Sequence, residues 1–265
     1  MKGCLLGATR FGGIAAGKGV SLIVKGAREM NLFCLPYAGG SAAVYTKWKG
    51  LLHPQIKLIP VELKGRGRRF NEPLYRDFAE AVADIYHQVK QEINGDDYIL
   101  FGHSFGSILA YELYYKLVGE NHRKPCHIFF SGQKAPHLQG EPIISSKLSE
   151  REFIAKIMAL GGTPEEVLQN KSLLELVLPI LKNDVKILEN HRYRDRPTKL
   201  DCDVTVLHGR QDRLRLAAVE EWRKHSGRGY RLVVLDGGHF FINDHASSIT
   251  ALINHYALAV AASPF

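Results

Sequence analysis

A serine flanked two residues away on each side by glycine, Gly102-His103-Ser104-Phe105-Gly106, fits the pattern G-x-S-x-G. It lies between an apolar run, Tyr98-Ile-Leu-Phe101, and a helix-forming one, Ile108-Leu-Ala-Tyr111. Small residues at these spacings let a strand and a helix cross closely around a strained turn that lifts the hydroxyl clear of the sheet. The Phe105 N–H, at the start of the helix, then faces negative charge developing on an attacked carbonyl. Gly and Ser are common, so five residues alone are a weak signal, and an ordinary Gly-rich turn with an exposed serine is the competing reading. The flanking strand and helix favour a nucleophile.

A serine hydroxyl is a poor nucleophile at neutral pH; it needs a base, and the base needs an acid that fixes its tautomer. Asp212, in His208-Gly-Arg-Gln-Asp212, and His239, in Gly237-Gly-His239, both follow apolar runs, which gives the chain order Ser, Asp, His of α/β-hydrolases. Gly237-Gly238 makes a loop able to reach back over the serine. Of twelve histidines, His103 adjoins Ser104 but points another way on the turn, His208 ends a strand, and His245, at a helix start, is the alternative base. Asp201 and Asp203 precede a strand and so lie on the wrong edge of the sheet. The position after the preceding strand holds Gln133 and Lys134, which leaves Asp212 as the acid.

The elements that must position these groups alternate. Strand-like runs are Asn31–Leu35, Lys57–Val61, Tyr98–Phe101, His127–Ser131, Asp203–His208 and Arg231–Leu235. Val20–Val24 and Asn31–Leu35 suggest an antiparallel pair at the sheet edge. Helices are expected over Ala42–Leu52, from Asp77 as cap to about Ile93, over Phe105–Val118, through about His225, and over His245–Ala259. Roughly six strands alternating with helices imply a mostly parallel sheet whose strand-following loops gather on one edge, so Ser104, Asp212 and His239 converge. Between strands, Ser149-Glu-Arg-Glu152 is a capping box, Gly161-Gly162-Thr163-Pro164-Glu-Glu166 ends that helix and caps another, and a third stretch runs from about Leu173 to Glu189. This helical insertion, about residues 137–195, reads as a lid, because it is too short to bury a core of its own. The expected fold is therefore α/β of the α/β-hydrolase type, one domain over 20–265, preceded by a flexible leader at 1–19.

Pro36-Tyr37-Ala38-Gly39-Gly40-Ser41 joins strand to helix through a Gly-rich turn whose N–H groups can face an anion. Its Ala38 N–H completes an oxyanion hole, or the turn is merely a tight connection; the residues alone permit both. Composition narrows the class. The hydrophobic content of 45% suits a globular core, and no apolar run approaches a membrane span. Cys4, Cys34, Cys126 and Cys202 are far apart, without metal-ligand spacing, which points to a reducing cytoplasm and no metal. The net charge of +8 is spread along the chain rather than gathered in a nucleic-acid module.

Seven segments together carry a family resemblance: Leu32–Ser41, Glu62–Arg68, Phe101–Gly106, Ser131–His137, Leu160–Gly162, His208–Asp212 and Gly237–His239. In this order, over about residues 20–255, the chain resembles the type II thioesterases, the stand-alone editing enzymes of nonribosomal peptide and polyketide synthases. The resemblance implies a triad of Ser104, Asp212 and His239 and an oxyanion hole of the Ala38 and Phe105 amides. It implies as substrate an acyl, aminoacyl or peptidyl thioester on the phosphopantetheine arm of a carrier protein, hydrolysed by a monomer that needs no cofactor of its own. Leu63 or Lys64 stands where the family loop has Pro. Arg66, Arg68 and Arg69 in that loop are candidates to meet the arm's phosphate or an acidic carrier surface, against the reading of a solvated basic loop. A product-releasing thioesterase or small-molecule carboxylesterase is the enzymatic alternative, and a non-catalytic binding protein of the same fold a more distant one.

Overall fold

A computed structural model of the chain describes residues 29–93, 95–138, 144–161 and 170–262. Six strands, β1 (Met30–Leu35), β2 (Ile56–Pro60), β3 (Asp97–His103), β4 (His127–Ser131), β5 (Asp203–Gly209) and β6 (Tyr230–Leu235), form one sheet in the order β2-β1-β3-β4-β5-β6. Every pair is parallel. A parallel sheet hides both faces, so its central strands are apolar on both sides, as the fully buried β1, β3 and β4 are.

Alternate residues serve the two faces. Phe33, Leu35, Leu100 and Phe130 pack with α1 (Phe78–Lys90), α2 (Phe105–Gly119) and Trp222, whereas Leu32, Cys34, Ile99, Phe101 and Phe129 pack with Tyr45, Trp48 and α6 (Ala246–Ala262). Asp77 starts α1 as expected, its carboxylate accepting the Glu80 N–H at 2.8 Å, and Phe78, Ala81, Val82, Ile85 and Val89 are its buried face. The segment expected as a helix after β1 is a 3₁₀ helix, Ala42–Gly50.

The edge hairpin is not formed through β1. Leu32 sits opposite Leu58 of β2 on one side and Ile99 of β3 on the other, both parallel, so neither edge of β1 is open to an antiparallel neighbour. Residues 20–24, with the expected leader, lie outside the described residues.

Between β4 and β5 come α3 (Glu150–Leu160), opened by the Ser149/Glu152 capping box, and α4 (Lys171–Asn190). α3 ends at Gly161, φ +76°; the second cap expected at 163–166 lies outside the described residues. Ile144, Phe153, Ile157, Leu178 and Leu181 form a small core of this insertion. After β5 the chain runs through α5 (Leu216–Glu220) and a 3₁₀ turn, Glu221–His225, to β6. Strand order reverses between β1 and β3, where two crossovers diverge and leave a crevice at the carboxyl edge. The turns after β1 and β3 both open there.

Candidate active site

Ser104 occupies the turn from β3 into α2 with φ +53° and ψ −116°, a region that side-chain-bearing residues rarely adopt. The backbones around it leave no room for relaxation. A Cβ on Gly102 would lie 2.1 Å from the Gly106 carbonyl oxygen, and one on Gly106 would lie 2.2 Å from that of Leu35. The Ser104 N–H is held by the Ser131 carbonyl at 2.7 Å, and Ser107 Oγ donates to Gly102 O and Ser131 O. The strained turn is thereby fixed from both sides.

From that turn a hydrogen-bond chain runs across the strand ends. His239 Nε2 lies 3.0 Å from Ser104 Oγ, and His239 Nδ1 lies 2.9 Å from Asp212 Oδ2. A carboxylate can only accept, so Nδ1 carries the proton and Nε2 turns its lone pair to the serine. The side chain of Asp212 is wholly buried. Burial opposes its ionisation, but the hydrogen bond and charge of His239, with the Leu214 N–H on Oδ1 at 3.1 Å, hold its pKa below the usual carboxylate value. Asp212 reaches this point because it is the third residue after β5. His239 reaches it because Asp236-Gly237-Gly238 turns back from β6, with Gly237 at φ +107° and its carbonyl accepting the Gln211 N–H at 3.0 Å.

The competing groups have other positions. His103 is fully buried behind the base, its ring centroid 5.4 Å from that of His239 and its Nδ1 2.8 Å from Ser131 Oγ. Burial, then the neighbouring imidazole, pushes its pKa down to about 3, so it stays neutral. His245 Nε2 bonds the Asp236 carbonyl at 2.8 Å. Asp201 pairs with Lys124 and Arg228, and Asp203 accepts the Gly229 N–H.

Ala38 and Gly39 are the middle residues of a turn closed by Gly40 N–H to Tyr37 C=O at 2.9 Å. Ala38, Ser104, Phe105 and His239 line one cleft of about 520 Å³. Much of its wall is apolar, with Ile108 from α2 and Ile144, Ile157, Leu181 and Val185 from the insertion between β4 and β5.

Two of the three loop arginines do not face that cleft as free cations. Arg66 is 3% exposed and forms a two-point ion pair with Asp184 of α4, at 2.5 and 2.8 Å. Arg69 is tied to Asp84 and Glu72, and only Arg68 is exposed. A contact from Arg66 or Arg69 to the arm's phosphate or to an acidic carrier surface has to compete with these carboxylates, whereas Arg68 has no such competitor in its exposed position. The cations that do line the cleft are Lys134, Arg192, Arg213 and Arg215. Sequence reasoning passed over them although Lys134 and Arg213 come within three or four residues of a strand end, a placement that puts them at this edge. Asp184 carried no signal, being one polar residue among Lys182, Asn183 and Lys186. Among the described residues no group of three or more His, Cys, Asp or Glu is placed to hold a metal ion.

The arrangement can perform nucleophilic acyl transfer: a hydroxyl on a strained turn, a base of fixed tautomer, and backbone donors beside an apolar cleft. Comparison with known proteins agrees. The thioesterase domain family matches residues 30–257. Thioesterase PikA5 of Streptomyces venezuelae is 34% identical over 236 residues, 89% of this chain and 83% of that protein. Linear gramicidin dehydrogenase LgrE of Brevibacillus parabrevis is 34% identical over 229 residues, 85% of this chain and 86% of that protein. Among solved structures, ClbQ from the colibactin NRPS/PKS pathway has a TM-score of 0.84 and 36% identity, covering 88% of this chain and 98% of that one.

Proposed function

The chain belongs to the thioesterase domain family, and from that premise we propose that it removes acyl, aminoacyl or peptidyl groups from the phosphopantetheine arms of carrier proteins, with Ser104 as nucleophile. It is a thioester hydrolase of the type II class on an α/β-hydrolase fold. The observation that carries the mechanism is the unbroken chain from Asp212 through His239 to Ser104, opening into the apolar cleft. A dehydrogenase appears in the name of one relative; the family match and this chain of contacts favour hydrolysis.

Ser104 Oγ attacks the thioester carbonyl as His239 Nε2 takes its proton, and the Ala38 and Phe105 N–H groups receive the oxyanion. Collapse expels a thiol of pKa about 8.5, which departs readily as thiolate, so acylation makes less demand on His239 as an acid than amide cleavage does. The departing sulfur takes up the proton held on Nε2, which frees His239 to deprotonate a water that attacks the acyl-enzyme, and that proton passes from Nε2 to Ser104 Oγ as the acid product leaves. The acyl chain occupies the wall of Ile108, Ile144, Ile157 and Val185, while Lys134, Arg192, Arg213 and Arg215 at the cleft supply the attraction for an anionic arm or carrier. The NRPS/PKS pathway named for ClbQ supports carrier proteins of nonribosomal peptide or polyketide synthases as partners, and we propose that a monomer meets them in the cytoplasm. Among the described residues no helix is long and apolar enough to cross a membrane.

Intact-mass measurement on a panel of differently acylated carrier proteins tests this reading. Wild type should deacylate them and Ser104→Ala should not. Hydrolysis confined to a plain aryl ester would leave a carboxylesterase instead.

A further inference from the structure

Asp184 lies on the lid helix α4, fully buried, yet its partners come from outside that helix. Oδ1 accepts from Arg66 Nη2 at 2.8 Å; Oδ2 accepts both Arg66 Nη1 at 2.5 Å and the Gly39 N–H at 2.8 Å. Arg66 also donates from Nη1 to the Gly40 carbonyl at 3.2 Å and from Nε to the Lys64 carbonyl at 3.3 Å. The two glycines after Ala38 are therefore gripped at one N–H by the carboxylate and at one C=O by the guanidinium. Leu181, one turn earlier on α4, closes the same contact: a Cβ on Gly39, whose φ is +76°, would lie 3.0 Å from Leu181 Cδ1.

A buried ion pair is a poor device for stability, because desolvating both ions offsets much of their attraction, and apolar residues of similar volume often serve as well. Two-point geometry is what it supplies: a guanidinium and a carboxylate fix each other's orientation in a way that greasy contacts do not. Here the fixed object is the turn Tyr37–Gly40. Ala38 has no freedom of its own in that turn, since Gly40 N–H closes it on Tyr37 C=O and Gly39 is held by Asp184.

We propose that Asp184 is a positioning residue for the reaction: through the Gly39 N–H it holds the turn in the orientation that aims the Ala38 N–H at the oxyanion, and Arg66 orients Asp184 to do so. The inference rests on Ala38 as an oxyanion donor. It makes the lid helix part of the catalytic apparatus, because a shift of α4 moves Asp184 and with it the turn. An oxyanion donor acts in the transition state rather than in substrate binding, so a misplaced turn lowers kcat and leaves KM nearly unchanged.

Three variants, assayed on an acyl-N-acetylcysteamine thioester, test it. Arg66→Met/Asp184→Leu removes both charges and keeps the volume; it should unfold near the wild-type temperature while kcat falls about tenfold to a hundredfold, less than the loss of a whole oxyanion donor. Asp184→Asn offers Arg66 and Gly39 a single acceptor oxygen, and should lower kcat with KM unchanged even if the double variant does not fold. Asn183→Ala is the control. It cuts another tether of α4, the 3.0 Å bond from Asn183 Nδ2 to the Tyr75 carbonyl, without touching the turn, and kcat should stay within about twofold. A folded Asp184→Asn with wild-type kcat, or an equal loss in Asn183→Ala, would overturn the assignment while leaving the triad in place. Absence of thioester turnover by the wild type would overturn both.

Discussion

The sheet edge that carries the nucleophile and the helices that cover it are held by different forces. At the edge every residue of β3 is buried, and the turn at Ser104 is locked by backbone approaches that tolerate no added carbon. The lid's own cluster has five buried apolar side chains, Ile187 of α4 joins it to the main core, and Met158, Leu173 and Leu176 on it are 55%, 41% and 51% exposed. Polar contacts tie it to the rest of the molecule: Asp184 to Arg66 and Gly39, and Asn183 to Tyr75. Local opening requires far less free energy where few apolar contacts must be broken. Reactivity is thus built into the rigid half, and admission of a long thin arm falls to the half that can yield.

The largest effect that probes this division is at the rigid half. Asp212→Asn allows Nδ1 to lose its proton to Nε2 and turn the wrong tautomer to Ser104, so kcat should fall by about four orders of magnitude with little change in unfolding temperature. A loss under tenfold in a steady-state assay would mean that the edge does not set the chemistry. Next is Arg66→Ala, which strands the Asp184 carboxylate in a buried site and should cost about 3–5 kcal/mol in urea unfolding. Were that cost under about 1 kcal/mol, the polar attachment of the lid would not be a firm one.

The same division separates what was legible in the chain from what was not. Ser104, Asp212 and His239 could be read because each lies within a few residues of a strand end, and strand order alone brings such residues to one edge. The Ser149/Glu152 capping box, the Asp77 cap and the face of α1 were equally local. The edge hairpin failed because two short β-rich runs close in sequence look like a hairpin, and only the parallel neighbours on both sides of β1 exclude it. The ion pair of Arg66 was hidden for a related reason: its partner Asp184 is 118 residues away, and charge in a loop looks solvated until the segment carrying its partner is folded onto it.

Acid should weaken the rigid half. Burial lowers the pKa of His103 to about 3, and of His127 and His225 to about 4, below the ordinary value near 6.5. All three are neutral in the fold, so below about pH 6.5 the unfolded chain binds more protons and unfolding free energy falls with pH, levelling near the folded values. Between pH 6.5 and about 5 carboxylates scarcely titrate, so the slope there reports histidines. His127→Gln keeps a polar group near Thr205, which His127 Nε2 meets at 2.9 Å, and should make the slope shallower in urea titrations across that window. An unchanged slope would place the proton-linked strain elsewhere.

The smallest effect should come from the lid's own core. Phe130, stacked on Trp222 at 3.9 Å under the sheet, belongs to the global unit, and Phe130→Ala should cost about 3–5 kcal/mol in overall unfolding. Ile157→Ala deletes a comparable apolar contact, but from the insertion's own small cluster, which by its few buried contacts is expected to open before the sheet. Once the free energy of local opening is used up, further weakening of the lid registers as faster amide exchange over α3 and not as a lower unfolding temperature. The expected result is therefore exchange raised about tenfold in α3 with a near-constant melting temperature. Equal losses of melting temperature in the two variants would show that lid and sheet unfold as one, and admission to the cleft would then have to come from side-chain movement at its mouth.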